Sequence, residues 1–171
     1  MKISLDSHII HACNCLQKGV HSKIVLEPKK QAKGVKYELI NDGGNELSYY
    51  DVDDCLFPKK GRPQQFNLCD YLVLLHDERV KNTKYIWVET KKTSDIDHAA
   101  KQIINAYRNT VITDSRRENH FARIILGKVS NKSTISGDNI KMLKKEFQKR
   151  FDFSSQVYNK DKSSQLYLRT N

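Results

Sequence analysis

The sequence predicts an α/β fold, a single mixed β-sheet flanked by helices in one domain spanning residues 1–171. Three observations carry this expectation. Residues 66–75 form a nearly continuous apolar run, which reads as a strand buried on both faces. A polar turn over 76–83 leads to a second such strand, Tyr-Ile-Trp-Val-Glu-Thr-Lys over 85–91. A helical stripe follows, Ile96, Ala99, Ala100, Ile103, Ile104 and Tyr107, at the 3.6-residue period.

The other elements follow in order. Residues 6–18 predict a helix that Asp6 or Ser7 opens and Gly19 ends. Residues 21–34, rich in lysine and holding Pro28 and Gly34, predict a loop. A strand over 35–40 leads through the turn Asp42-Gly43-Gly44 to a partner near 47–52, a hairpin. Ser94 is the expected cap of the central helix, with Asp95 and Asp97 in its first turn. A strand over 121–127 comes next. Gly137-Asp138-Asn139 opens a last helix with Ile140, Leu143, Phe147 and Phe151 inward, and residues 165–169 suit a short terminal strand.

The net charge of +10 points to a polyanionic partner. Residues 115–171 hold 13 Lys/Arg against 5 Asp/Glu, so the excess is concentrated there. No apolar run reaches the roughly 20 residues of a membrane span, and residues 1–6 have no signal-peptide core. A cytoplasmic protein with reduced thiols is therefore expected. Of the four cysteines, Cys13 and Cys15 lie near His11, yet no pair has the spacing of a structural zinc site.

Two features break the local pattern. Asp70 interrupts the apolar run as Leu-Cys-Asp-Tyr-Leu, and Glu89 and Lys91 end the next strand on one face, with Thr90 opposite. A buried carboxylate is costly unless it is paired or holds a metal. If the two strands are neighbours, Asp70 faces Glu89, and two converging carboxylates repel unless a cation lies between them. Their oxygens suit Mg²⁺ or Mn²⁺. The bland alternative is an ion pair of Asp70 with Lys91.

Asp70, then after 18 residues Glu89-Thr90-Lys91, then a capped helix bearing Gln102, resembles the PD-(D/E)XK nuclease superfamily, which includes restriction endonucleases and archaeal Holliday-junction resolvases. The resemblance covers residues 66–107. It implies a restriction-endonuclease-like core, with Asp70 and Glu89 ligating Mg²⁺ or Mn²⁺ and the Thr90 carbonyl as a third ligand. It implies that Lys91 orients the attacking water and offsets phosphate charge, and Gln102 matches the polar residue often found on the following helix. The bare Glu-x-Lys pattern carries nothing. Seven glutamates and 22 lysines in 171 residues produce about one by chance, and Glu27-Pro28-Lys29 is such a decoy. The chain departs from the family in two places. Residues 7–18 hold no acid where a helix Glu often stands, leaving Asp6, Glu38, Asp53 or Asp54 to replace it. Cys69 stands where the motif names a Pro.

The expected activity is hydrolysis of phosphodiester bonds in nucleic acid, DNA before RNA. The alternative is a catalytically inactive nucleic-acid-binding or protein-interaction module, a subunit of a larger nucleic-acid-processing complex. Cutting both strands of a duplex would favour a homodimer. The cations expected to follow a phosphate backbone are Lys141, Lys145 and Lys149, one face of the last helix, with the loop residues Arg116, Arg117, Lys60 and Arg62. A solvated surface explains any one of them equally well.

Overall fold

The computed structural model describes residues 3–5, 17–19, 22–27, 34–57, 66–91, 95–113, 115–127, 137–154 and 158–168. The described strands are β1 (Ile3–Ser4), β2 (Gln17–Gly19), β3 (Lys23–Leu26), β4 (Lys36–Ile40), β5 (Glu46–Asp51), β6 (Tyr71–Asp77), β7 (Asn82–Lys91), β8 (Thr110–Val111), β9 (His120–Leu126), β10 (Phe151–Ser154) and β11 (Tyr158–Lys162). The helices are α1 (Ile96–Asn109), α2 (Asp138–Phe147) and α3 (Ser163–Leu168). A six-stranded sheet runs β10-β9-β7-β6-β5-β2, a three-stranded sheet runs β11-β4-β3, and β1 pairs with β8.

The α/β class holds, but the single sheet does not, because both of the larger sheets are mixed and stand apart in pairing. In the six-stranded sheet β5, β6 and β7 form an antiparallel meander, and β9 and β10 continue parallel to β7. Its strands are apolar on both faces because both are covered. Leu72, Trp87, Ala122 and Ile124 pack against Ala99, Ile103, Leu143 and Phe147 of α1 and α2. Val73, Ile86, Val88 and Phe121 pack against Tyr37, Leu39, Ile24 and Leu26 of the three-stranded sheet. An ion pair joins the two sheets: Arg123 Nε of β9 donates to Asp161 of β11, which also accepts the Tyr37 hydroxyl at 3.1 Å. Arg123 is fully buried, so that pairing offsets a large desolvation cost.

Several local expectations are corrected. Residues 17–19, the expected end of the first helix, are strand β2 on β5, while residues 6–16 lie outside the described set. The lysine-rich stretch contains β3, in which Ile24 and Leu26 are buried and Lys23 and Val25 exposed. That alternation is a strand signal which the lysine count obscures. Strands β4 and β5 are not a hairpin, because both sides of β4 are taken by β3 and β11. The chain changes sheets through a turn tied by Asn41, whose Oδ1 accepts the Asn45 N–H at 2.9 Å. The expected cap Ser94 lies outside the described residues, and the cap on α1 is Asp95, which accepts the His98 N–H at 3.0 Å.

Helix α2 stops at Phe147, where Gln148 adopts φ 51°, and Phe151 begins β10 instead of lying on the helix. Arg150 and Arg117 end the helix by donating to its last carbonyls, Arg150 Nε to Phe147 at 3.0 Å and Arg117 Nη2 to Lys145 at 2.7 Å. Residues 163–168 are helix α3 rather than a strand. Asp42 supplies its N-terminal cap, accepting the Ser164 N–H at 2.9 Å, and the serine bonds hold the Asp42 carboxyl down at about 2.

Candidate metal centre

The site lies where β6 begins and β7 ends. The ladder pairs Tyr71 with Val88, so the next position sets Asp70 beside Glu89. Asp70 is not inside the strand, as the apolar run predicts, but in the bend that enters it. Residues 66–69 are irregular because polar side chains of α1 hold their carbonyls: Gln102 Nε2 donates to Leu68 at 2.8 Å and Asn105 Nδ2 to Asn67 at 3.2 Å. The Asp70 carbonyl accepts the Val52 N–H at 2.9 Å, which anchors the bend to the end of β5.

The two carboxylates are locked by reciprocal bonds. Asp70 N–H donates to Glu89 Oε2 at 3.0 Å, and Thr90 N–H donates to Asp70 Oδ2 at 2.9 Å. The Thr90 hydroxyl donates to the same Asp70 oxygen at 2.5 Å. Lys91 Nζ lies 2.8 Å from Glu89 Oε1. Glu89 is 1% exposed and the Lys91 side chain 24%. Lys91 thus pairs with Glu89, not with Asp70 as the bland alternative had it.

Burial raises the Glu89 carboxyl well above its ordinary range, the charge of Asp70 adds to this, and Lys91 opposes it. Burial also raises Asp70, against the Thr90 bonds and Lys91. Asp51, at the end of β5 opposite Tyr71, raises it slightly further. The free thiol of Cys69 is fully buried and pushed up by burial and the two carboxylates. Two under-compensated carboxylates are hard oxygen donors of the kind Mg²⁺ and Mn²⁺ take, so the donor chemistry fits such an ion. Among the described residues no three His, Cys, Asp or Glu side chains form a group that could hold a metal, so the candidate centre is this pair.

Gln102 lies beneath the site on α1, 9% exposed, and its Oε1 is buried with no hydrogen-bond partner. It reaches the chain two residues before Asp70. Of the described replacement acids neither completes a group of three with the pair: Glu38 sits in β4, where Lys23 lies 3.9 Å away, while Asp53 lies near enough to help raise the Cys69 thiol. Asp6, the side chain of Asp54, and the thiols of Cys13, Cys15 and Cys55 lie outside the described residues.

The expected nucleic-acid-binding cations separate to two ends of the sheet. Parallel pairing sets His120 beside Tyr85 and Ile124 beside Glu89, so Arg116 and Arg117, before β9, lie beyond the far end of a stretch of four strand residues, about 13 Å, that leads to the carboxylates. Arg117 is spent on the end of α2 and on Glu146 at 3.2 Å, and Arg116 lies 3.9 Å from Glu118. Lys149 follows α2 in a 3-10 turn at that same far end. Lys141 sits in the first turn of α2, at the site end, because Asp97 of α1 accepts the N–H groups of Asn139 at 3.1 Å and Ile140 at 3.3 Å. It is exposed and pairs with Asp138 at 3.2 Å, while Lys145 is exposed in the last turn of α2. Lys60 and Arg62 lie outside the described residues. The three lysines therefore do not form one continuous stripe.

Sequence reading missed the Thr90 hydroxyl as a second donor to Asp70. A Thr following a strand-end Glu was the only signal for it. Among the described residues no helix is long and apolar enough to cross a membrane. Comparisons with protein-family models, curated proteins and solved structures gave no match.

Proposed function

We propose that the protein is a divalent-metal-dependent nuclease that hydrolyses phosphodiester bonds in DNA, on a restriction-endonuclease-like core. The observation that carries this reading is the pair of buried Glu89 and half-buried Asp70, with the Lys91 ammonium against Glu89. Support also comes from the order of elements around the pair, a strand entered at Asp70, a turn, a strand ending Glu-Thr-Lys and a capped helix.

Asp70 and Glu89 are the residues that would hold Mg²⁺ or Mn²⁺, with the Thr90 carbonyl as the third oxygen the family resemblance implies. A bound ion of this kind lowers the pKa of water and offsets charge on a phosphoryl oxygen. The chain's own groups do the rest. Thr90 fixes the Asp70 carboxylate through two donors, and the Asp70 N–H fixes Glu89. Lys91 is partly exposed beside the pair, placed to orient an attacking water and to offset the charge of the phosphate. Gln102 holds the backbone that enters Asp70.

The test is cleavage of plasmid and single-stranded DNA with Mg²⁺ or Mn²⁺. Wild type should cleave, and Glu89→Ala and Lys91→Ala should each lose about a hundredfold or more of the rate. Cleavage surviving in both variants removes the proposal. The Lys91–Glu89 ion pair favours one second reading, a nucleic-acid-binding module whose carboxylate is neutralised from within. That reading predicts salt-sensitive DNA binding by wild type with no cleavage and no carboxylate-dependent Mn²⁺ binding.

A further inference from the structure

The ion pair at the site has a defined geometry. Glu89 Oε2 already accepts the Asp70 N–H at 3.0 Å. Oε1 is the oxygen that faces Lys91 Nζ at 2.8 Å. The carboxylate is 1% exposed, so water contributes almost nothing to its neutralisation. The lysine side chain is 24% exposed, on a four-carbon stem with free rotation. Its backbone is pinned, since the Lys91 carbonyl accepts the Gly127 N–H at 2.7 Å and β9 pairs alongside. Only the side chain can move, and it has solvent to move into.

We infer that Lys91 is the resting counter-ion of Glu89, and that a divalent cation takes this carboxylate by displacing the ammonium. A divalent cation seated on Oε1 would repel an ammonium held 2.8 Å from that same oxygen, and at a buried carboxylate this repulsion is poorly screened. The displaced ammonium keeps its tether at the strand end and is released toward the substrate side only once the cation is seated. Metal loading and the availability of Lys91 are then one coupled event. Without the cation, the lysine is the charge that offsets Glu89. This deepens the nuclease reading and rests on it.

The consequence is opposite in sign to that of an ordinary helper lysine: removing Lys91 tightens metal binding while it abolishes cleavage. The test is calorimetric titration of the full chain with Mn²⁺, without nucleic acid and at fixed pH and salt. It compares wild type, Lys91→Met, Lys91→Gln, Glu89→Gln and Lys101→Met, the last an exposed lysine on α1. Both Lys91 variants should bind Mn²⁺ about fivefold or more tighter than wild type, the worth of one partly buried ion pair. Lys101→Met should match wild type, and Glu89→Gln should lose the site. Mn²⁺ should also raise the unfolding temperature more for Lys91→Met than for wild type, which checks in the same samples that the variants fold.

Equal or weaker affinity in both Lys91 variants, with Glu89→Gln still losing the site, overturns the displacement and leaves the metal centre standing. The same gain in Lys101→Met overturns it too, as a general effect of charge. Absence of Glu89-dependent Mn²⁺ binding in wild type and in both Lys91 variants overturns the displacement and the nuclease reading together.

Discussion

The backbone N–H of Asp70 donates to the Glu89 carboxylate at 3.0 Å, while the Asp70 carboxylate receives the N–H of the next residue, Thr90, at 2.9 Å. Each acid is thus fixed by the backbone that carries the other, across the open end of an antiparallel pair. The charge of Asp70 works against the ionised Glu89, and burial sharpens the repulsion. What keeps them together is a set of donors built into two strands.

Thr90 tests that set. Thr90→Val keeps the shape and removes the hydroxyl that bonds Asp70 Oδ2. The Asp70 carboxylate then keeps a single donor on that oxygen. Urea unfolding should show a loss of about 1–2 kcal/mol, and cleavage should fall with it. Unchanged stability would mean that water already serves the carboxylate.

Gln102 acts on the site through the backbone. Gln102→Leu removes the bond to Leu68 and also removes a buried acceptor that has no partner. The two effects oppose each other, so stability should change by less than about 1 kcal/mol. Cleavage should nonetheless fall about tenfold or more, because the segment entering Asp70 is no longer held. A large loss of stability with normal specific activity would assign Gln102 to packing alone.

His120 sets the response to acid. It is stacked on Tyr85 at 4.9 Å, and its Nδ1 accepts the Trp87 indole N–H at 3.2 Å, so that nitrogen carries no proton. Burial lowers its pKa from 6.5 to about 4. Below 6.5 the unfolded chain takes up a proton that the folded chain refuses, so stability falls as pH drops from 6.5 towards 4 and is flat above. The size is about 3 kcal/mol over that window. The raised Glu89 and Asp70 carboxyls act in the opposite sense, so the slope is read as the difference in unfolding free energy between wild type and His120→Gln across pH 4–7.

Gly137 and Asp97 form one device at the start of α2. A Cβ on Gly137 would stand 1.9 Å from Asp97 Oδ1, the oxygen that caps the helix. Gly137→Ala should therefore cost about 2 kcal/mol, and Asp97→Ala about 1–2 kcal/mol. The double variant should cost less than their sum, since the cap is lost only once. Full additivity in denaturant unfolding would separate the two residues.

The part of the site that was legible in sequence was the part written in local contrast. Asp70 stands out because its neighbours are apolar, and Glu89 and Lys91 because period-two alternation sets them on one face. That Asp70 enters its strand instead of interrupting it was not legible, since Gln102 and Asn105 impose this from a helix more than thirty residues downstream. Strand pairing was equally hidden. Nothing near residues 36–40 says that β11, far along the chain, will occupy one side of that strand. The basic end of the chain misled in part, because charge counting cannot tell a surface lysine from Arg123 or Arg150, which are buried and hold carbonyls and an acid.

Whether Asp70 and Glu89 hold a divalent cation decides the nuclease proposal. Crystals soaked in millimolar Mn²⁺ and read by anomalous scattering test it most directly. The expected result is a peak bonded to both carboxylates, with Lys91 Nζ moved away from its 2.8 Å contact with Glu89. No peak at the pair, with the Lys91–Glu89 contact intact, would contradict it.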